Sequence, residues 1–313
     1  MDPLRYLVDT RGFFTRAETR DLGYGDKVVT ALVRAGEWHR MRRGYYTFVD
    51  VWKALSPEGR HLARAHAVQH SLGDKVALSG VTGLLEHQVP VWGMPLDRIH
   101  VTRLDGGAGR TEGDVVHHEG FCLDSDVTDV GGLRVLTAPR CAIEAGSRSG
   151  PESALVAFDG LLRHGRCDHD ALITQFRSMS YWPFTRKLTV AVLMADGMAE
   201  SPGESRGRWL FWMTGLPAPI LQYAVRAADG RLVGMCDWGW PEQGLLGEFD
   251  GRVKYGRLLR PGQTAAEVVF AEKRREDEIR ELSGCAMIRL VWDDLAEPRR
   301  THDRVRSMLR RVG

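Results

Sequence analysis

The sequence predicts an α/β protein of the α+β kind: an amino-terminal winged helix-turn-helix, a mixed α/β middle domain, and a carboxyl-terminal α/β domain with a mixed central sheet. Three observations carry this expectation. Short helical periods fill the first 36 residues and lead into an arginine-tipped hairpin. Strand-like and helix-like segments alternate through the rest of the chain. Two turn-rich stretches without hydrophobic period, Ser56-Pro57-Glu58-Gly59 and Gly197-Met198-Ala199-Glu200-Ser201-Pro202-Gly203, divide it into residues 1–55, 56–198 and 199–313. A chain of 313 residues accommodates two or three such domains.

Composition excludes several classes. With 43% hydrophobic and 27% charged residues, wholesale disorder, a collagen-like repeat and a long coiled coil are ruled out. Lys+Arg 43 against Asp+Glu 41 leaves +2, too little to single out a partner. The five cysteines, Cys122, Cys141, Cys167, Cys236 and Cys285, are odd in number, scattered and without a CxxC pair. That argues against a disulfide framework or zinc ribbon and for a reducing compartment. No apolar run approaches the roughly 20 residues of a membrane span, and the amino terminus lacks a signal-peptide profile. The expectation is a cytoplasmic protein with no membrane partner.

In the first fifty residues, Leu4, Leu7 and Val8 have helical spacing, and Thr15-Arg16-Ala17-Glu18 is a capping box opening a second helix. Gly23 and Gly25 punctuate a turn, and Val28, Val29, Leu32 and Val33 define a third helix stopped by Gly36. Trp38 to Phe48 then reads as two β-prone arms around Arg42-Arg43-Gly44. Three short helices and a basic hairpin describe a winged helix, whose third helix enters the major groove while the wing meets backbone. Lys27, Thr30 and Arg34 would face duplex DNA, and Arg40, Arg42 and Arg43 would neutralise phosphates. The alternative for such a hairpin is a solvated tip on a protein-contact module.

The middle segment carries His61, His66 and His70 on a helix-like stretch, with no HExxH and no third ligand at metal spacing, so they read as packing or surface residues. Residues 99–102, 115–118 and 132–136 read as strands, and 139–146 and 151–163 as helices. Nothing here has catalytic spacing. The segment is expected to pack or to contact a partner.

The last third holds the candidate chemistry. Ser201-Pro202-Gly203-Glu204-Ser205 opens a helix, and Tyr223 to Arg226 reads as a strand. Two further β-prone arms, Leu232–Trp240 and Leu245–Gly251, flank the turn Pro241-Glu242-Gln243-Gly244. Pairing Trp240 with Leu245 sets Asp237 opposite Glu248 and places Asp250 on the same face, with Trp238 and Phe249 turned to the core. Opposed carboxylates repel, and a hard cation such as Mg²⁺ or Mn²⁺ relieves the repulsion and activates water for phosphodiester hydrolysis. The alternative is a set of acids projecting into water.

Two resemblances extend this reading. The basic hairpin closing on Gly44-Tyr45-Tyr46, with Leu78-Ser79-Gly80-Val81-Thr82-Gly83-Leu84-Leu85 and Asp97-Arg98-Ile99-His100-Val101-Thr102, resembles AbiEi-family antitoxins over about residues 1–190. The resemblance implies DNA binding and a cognate toxin as a partner. Residues 199–310 resemble the PD-(D/E)XK nuclease fold, in the branch of very-short-patch-repair endonucleases. Ser201–Ser205 stands for its first helix, Asp237 for its first acid, and Glu248-Phe249-Asp250-Gly251 for its Glu-x-Asp-Gly stretch. Glu272-Lys273-Arg274-Arg275-Glu276 and Ile288 to Leu295 look like its later helix, final strand and tail helix.

This second resemblance implies a metal-dependent DNA endonuclease, with Asp237, Glu248 and Asp250 as ligands and Glu204 as a further ligand or a simple cap. The fold's usual lysine position is Asp250 here, which leaves Lys254 or Lys273 as a relocated base; Lys273 is equally an i,i+4 partner of Asp277. Two functions therefore compete: a DNA endonuclease in phage defence or repair, and an antitoxin-like repressor whose nuclease-like domain is a degenerate scaffold.

Overall fold

A computed structural model describes residues 2–251 and 265–309, with side chains from residue 273 in the second stretch. The expected α/β class holds, with helices packed on three sheets among the described residues, two of them mixed. The chain divides into two compact units, Met1–Ala154 with Asp170–Leu188, and Leu155–His169 with Thr189–Gly313. No helix among the described residues is long and apolar enough to cross a membrane.

The first unit opens with α1 (Pro3–Arg11), β1 (Phe14–Thr15), α2 (Arg16–Asp21), α3 (Asp26–Arg34), β2 (Trp38–Arg42) and β3 (Tyr45–Phe48), in the sheet order β1-β3-β2. This is the topology of a winged helix. The first two helices have capped starts. The Asp2 carboxylate accepts from Leu4 N–H at 3.0 Å ahead of Pro3. The Thr15 and Glu18 capping box forms as the sequence predicts, with Thr15 N–H donating to Glu18 at 2.7 Å. Leu4, Val8, Phe14, Val29, Trp38, Tyr46 and Phe48 make the core, and Phe14 meets Trp38 edge-on at 4.7 Å.

The chain continues through α4 (Val49–Ala54), α5 (Pro57–Leu72), β4 (Val76–Leu78), α6 (Gly80–Glu86), β5 (Ile99–Arg103), β6 (Arg110–Glu112), β7 (Val115–His118), β8 (Val127–Val130), β9 (Leu133–Leu136) and α7 (Ala138–Ser149). The six strands form a mixed sheet in the order β6-β7-β5-β4-β9-β8. Between residues 54 and 57 the winged helix does not end as a separate body. Phe13 and Met41 are buried with Ala63 and Ala67 of α5, and Tyr45, Trp52 and Leu55 close the same apolar seam. A β-bulge between Arg40 and Arg42 accompanies the burial of Met41 in this seam, while Arg40 stays exposed.

After α8 (Pro151–Arg163), α9 (His169–Ser178) and α10 (Thr189–Met194), the second unit carries α11 (Pro202–Thr214), β10 (Ile220–Arg226), β11 (Leu232–Trp240), β12 (Leu245–Phe249), α12 (Ala265–Ser283), β13 (Ala286–Leu290), α13 (Trp292–Ala296) and α14 (Pro298–Leu309). The sheet order is β10-β11-β12-β13, antiparallel except for β13, which runs parallel to β12. Trp240 pairs with Leu245, the register expected from the sequence. Leu245 and Leu246 point to opposite faces and enter separate cores. One contains Leu210 and Phe211 of α11 with Trp238, Trp240 and Phe249; the other contains Ile279 of α12 with Val225, Cys236 and Met287.

Close seating of α11 depends on glycine. A Cβ on Gly207 would overlap the indole of Trp238, which is fully buried, and one on Gly203 would overlap the ring of Phe249. Gly207→Ala is expected to lower the unfolding free energy by about 1–3 kcal/mol through overpacking, despite alanine's better helix propensity. Urea denaturation measures it, and an unchanged midpoint would mean that α11 lifts from the sheet without cost.

Candidate functional site

On the winged helix, Lys27, Thr30 and Arg34 lie on one face of α3 at helical spacing, and all three are exposed. Arg40 and Arg43 are exposed on the wing, where Gly44 at φ 82° closes the turn. None of Lys27, Arg34, Arg40 and Arg43 has an ion-pair partner among the described residues. Arg42 differs from the sequence expectation. It is half-buried, its guanidinium carbon stands 5.7 Å from the Tyr45 ring centroid, and its Nη1 is buried without a hydrogen-bond partner among the described residues. It is therefore partly committed to packing. Val28, counted as an apolar helix position in the sequence, is 47% exposed and joins the α3 surface. An apolar side chain displayed beside basic ones was the available cue.

The middle-segment histidines have separate partners. His61 bonds Leu96 O and Thr82 Oγ1 at 3.0 and 2.8 Å, His66 pairs with Glu86 at 2.8 Å, and His70 meets the Tyr45 hydroxyl at 3.0 Å. Sequence reading passed over His100 and His118, whose rings stack 5.1 Å apart. Burial first, and then the neighbouring Arg148 cation, push them down to about 4 and about 3, so both are neutral at pH 7.

In the second unit, β11 supplies Asp237 and β12 supplies Glu248, as expected, but the acids are not arranged as a ligand set. Among the described residues no group of three or more His, Cys, Asp and Glu side chains is placed to hold a metal ion. Strand alternation puts Glu248 on the face of Leu246, toward α12. There Arg275 of α12 donates to Oε1 at 2.6 Å and Arg289 of β13 donates to Oε2 at 3.0 Å. Arg289 is Glu248's lateral neighbour in the parallel ladder and also reaches Glu276 at 3.3 Å. The Asp237 carboxylate accepts the Phe249 N–H at 2.7 Å, a strand bond made by a side chain. Asp250 follows the end of β12, where its N–H donates to Leu290 O at 2.8 Å.

The repulsion foreseen between the acids is thus met at Glu248 by two guanidinium groups, and the donor set among the described residues does not fit a cation as it stands. Lys273 is exposed on α12 and forms no ion pair with Asp277 among the described residues. Lys254 lies outside the described residues.

Glu204 is the perturbed acid of the unit. Only 5% exposed, it accepts from Glu200 N–H at 2.8 Å, the Ser201 hydroxyl at 2.7 Å and the Gln222 amide at 3.1 Å. Gln222 itself has φ 47°. Burial, and after it the negative charge of Asp237, push the Glu204 carboxyl up to about 7. The cap expected from the sequence is present, with Ser201 Oγ accepting the Glu204 N–H at 3.3 Å, and Asp237 lies near enough for its charge to act on the Glu204 carboxyl.

No family model matches the chain. Two curated proteins of Mycobacterium tuberculosis, Uncharacterized protein MT2308 of strain CDC 1551 / Oshkosh and Uncharacterized protein Rv2248 of strain H37Rv, are each 28% identical to it over 160 residues. The match covers 46% of this chain and 58% of each relative, so the chain spans little more than half the length of these curated relatives. The crystal structure of the RV2827C protein from the same organism aligns at a TM-score of 0.40 and 14% identity, over 72% of this chain and 87% of that one.

A carboxyl raised by folding favours its protonated form in the native state. Below pH 4.5 Glu204 is protonated in both states; as pH rises toward 7 the unfolded chain ionises first and stability is lost, levelling off above 7. Gln at this position keeps the acceptor for Glu200 and Gln222 and offers its amide to Ser201. Glu204→Gln is expected to flatten the decline of melting temperature between pH 5 and pH 8 while matching wild type near pH 4.5. Parallel profiles for the two proteins would contradict the assignment.

Proposed function

We propose that the protein binds duplex DNA through its winged helix and acts as an antitoxin-like regulator, with α3 in the major groove and the wing on the backbone. The observation that carries this reading is the set of exposed cations Lys27, Arg34, Arg40 and Arg43 on two adjoining elements, none with an ion-pair partner among the described residues. A folded protein gains nothing from holding like charges together in water, whereas a polyanion neutralises them and releases its condensed counterions. Thr30 and Val28 add a hydroxyl and a methyl surface of the kind that reads base edges. A cognate toxin or another protein is the proposed second partner, through the middle sheet.

A second reading, a Mg²⁺- or Mn²⁺-dependent DNA endonuclease, draws on a different observation. The order α11-β10-β11-β12-α12-β13, with Glu204, Asp237 and Glu248 on the first helix and the second and third strands, is the arrangement that a resemblance to the PD-(D/E)XK fold implies. The arginines on Glu248 weigh against it.

Fluorescence anisotropy with a labelled duplex tests the first reading. Arg40→Ala with Arg43→Ala is expected to weaken binding roughly 10- to 100-fold on any sequence and to reduce the slope of log affinity against log salt by about 2. Salt-independent binding, or an unaltered slope in the folded variant, would sink the wing assignment. Plasmid nicking in Mn²⁺ tests the second: strand scission abolished by Glu248→Gln would establish hydrolysis, and equal inertness of both proteins would leave the regulator.

A further inference from the structure

We infer that Arg275 and Arg289 supply the positive charge that Glu248 requires, in place of a divalent cation, so that the second unit is closed by guanidinium and is indifferent to metal. The inference rests on the resemblance of this unit to the metal-dependent nuclease fold, and is independent of the winged helix.

Both carboxylate oxygens of Glu248 are engaged, Oε1 by Arg275 at 2.6 Å and Oε2 by Arg289 at 3.0 Å, and its side chain is only 12% exposed. A Mg²⁺ ion at this carboxylate would sit about 2.0–2.1 Å from an oxygen. Two guanidinium groups already approach those oxygens, so cation and arginines would repel across the shared carboxylate. The surrounding charge points the same way. Among the described residues, Glu276 also pairs with Arg289 at 3.3 Å and with Arg280 at 2.7 Å, so the guanidinium that reaches Glu248 is itself held in place by a second carboxylate. Arg275 comes from α12 and Arg289 from β13, so secondary structure fixes the two donors independently. Asp237, which would have to share the ion, already accepts the Phe249 N–H at 2.7 Å. Arginine suits this task because it presents a planar fork and keeps its charge at any pH a protein meets.

The test uses the full chain and thermal melting. Wild type is expected to melt at the same temperature in millimolar Mn²⁺ and in EDTA. Arg275→Met with Arg289→Met, which keeps the aliphatic stems, is expected to lower the melting temperature by several degrees because it strands a buried carboxylate. Adding Glu248→Gln to that pair is expected to restore most of the loss, since a neutral amide needs no counter-charge; a merely structural role for the arginine stems would give no rescue. A Mn²⁺-induced rise in wild type that Glu248→Gln removes, or a triple variant no more stable than the double, would overturn the inference. Duplex affinity measured on the same samples is expected to match wild type, and a wild type that fails to bind DNA would overturn the DNA reading while leaving this result intact.

Discussion

Burying the Glu248 carboxylate imposes the strictest electrostatic condition in the second unit. An ionised carboxylate shielded from water survives only with opposite charge and hydrogen bonds on its oxygens, and removing one partner of such a pair typically costs about 3–5 kcal/mol. Arg289 meets the condition because the parallel ladder sets it beside Glu248, and Arg275 meets it because α12 packs Ile279 against Cys236 and Met287 on the same face. The seat of α12, the register of β13 and the burial of Glu248 are therefore one problem with one solution. Asp237 and Glu204 lie on the α11 side of that solution. Asp237 repairs a strand bond, and its charge helps keep the Glu204 proton in place.

The first unit separates its tasks by polarity. Its apolar residues turn inward twice, into the winged-helix core around Phe14 and Trp38 and into the seam where Phe13 and Met41 meet α5. The cations turn outward on α3 and the wing. The wing is fixed on α5 through the bulged Met41, so its exposed arginines project from a packed support, which would lower the ordering cost of the proposed duplex binding.

Much of this was legible in the sequence wherever the cause is local. The Thr15 and Glu18 box, the helix of Lys27 and Arg34, the wing and the pairing of Trp240 with Leu245 follow from capping residues, turn chemistry and period. What escaped is tertiary. The partners of Glu248 lie 27 and 41 residues away in the chain, so a count of nearby acids foresaw the repulsion and assigned its relief to a cation. The continuity of the winged helix with α5 was hidden because Ser56-Pro57-Glu58-Gly59 reads as a boundary, whereas Ser56 simply caps α5. Gly203 and Gly207, one helical turn apart, were a readable cue for the close approach of α11 that polar motif-reading passed over.

Hydrogen–deuterium exchange on the full chain, with and without a duplex and with and without Mn²⁺, tests the account most directly. With DNA on α3 and the wing and no metal on β11 and β12, duplex-dependent protection is expected to be confined to residues 26–45 and exchange at residues 232–249 to be unchanged on adding Mn²⁺. Protection of β11 and β12 that requires Mn²⁺, with α3 and the wing unaffected by DNA, would contradict it.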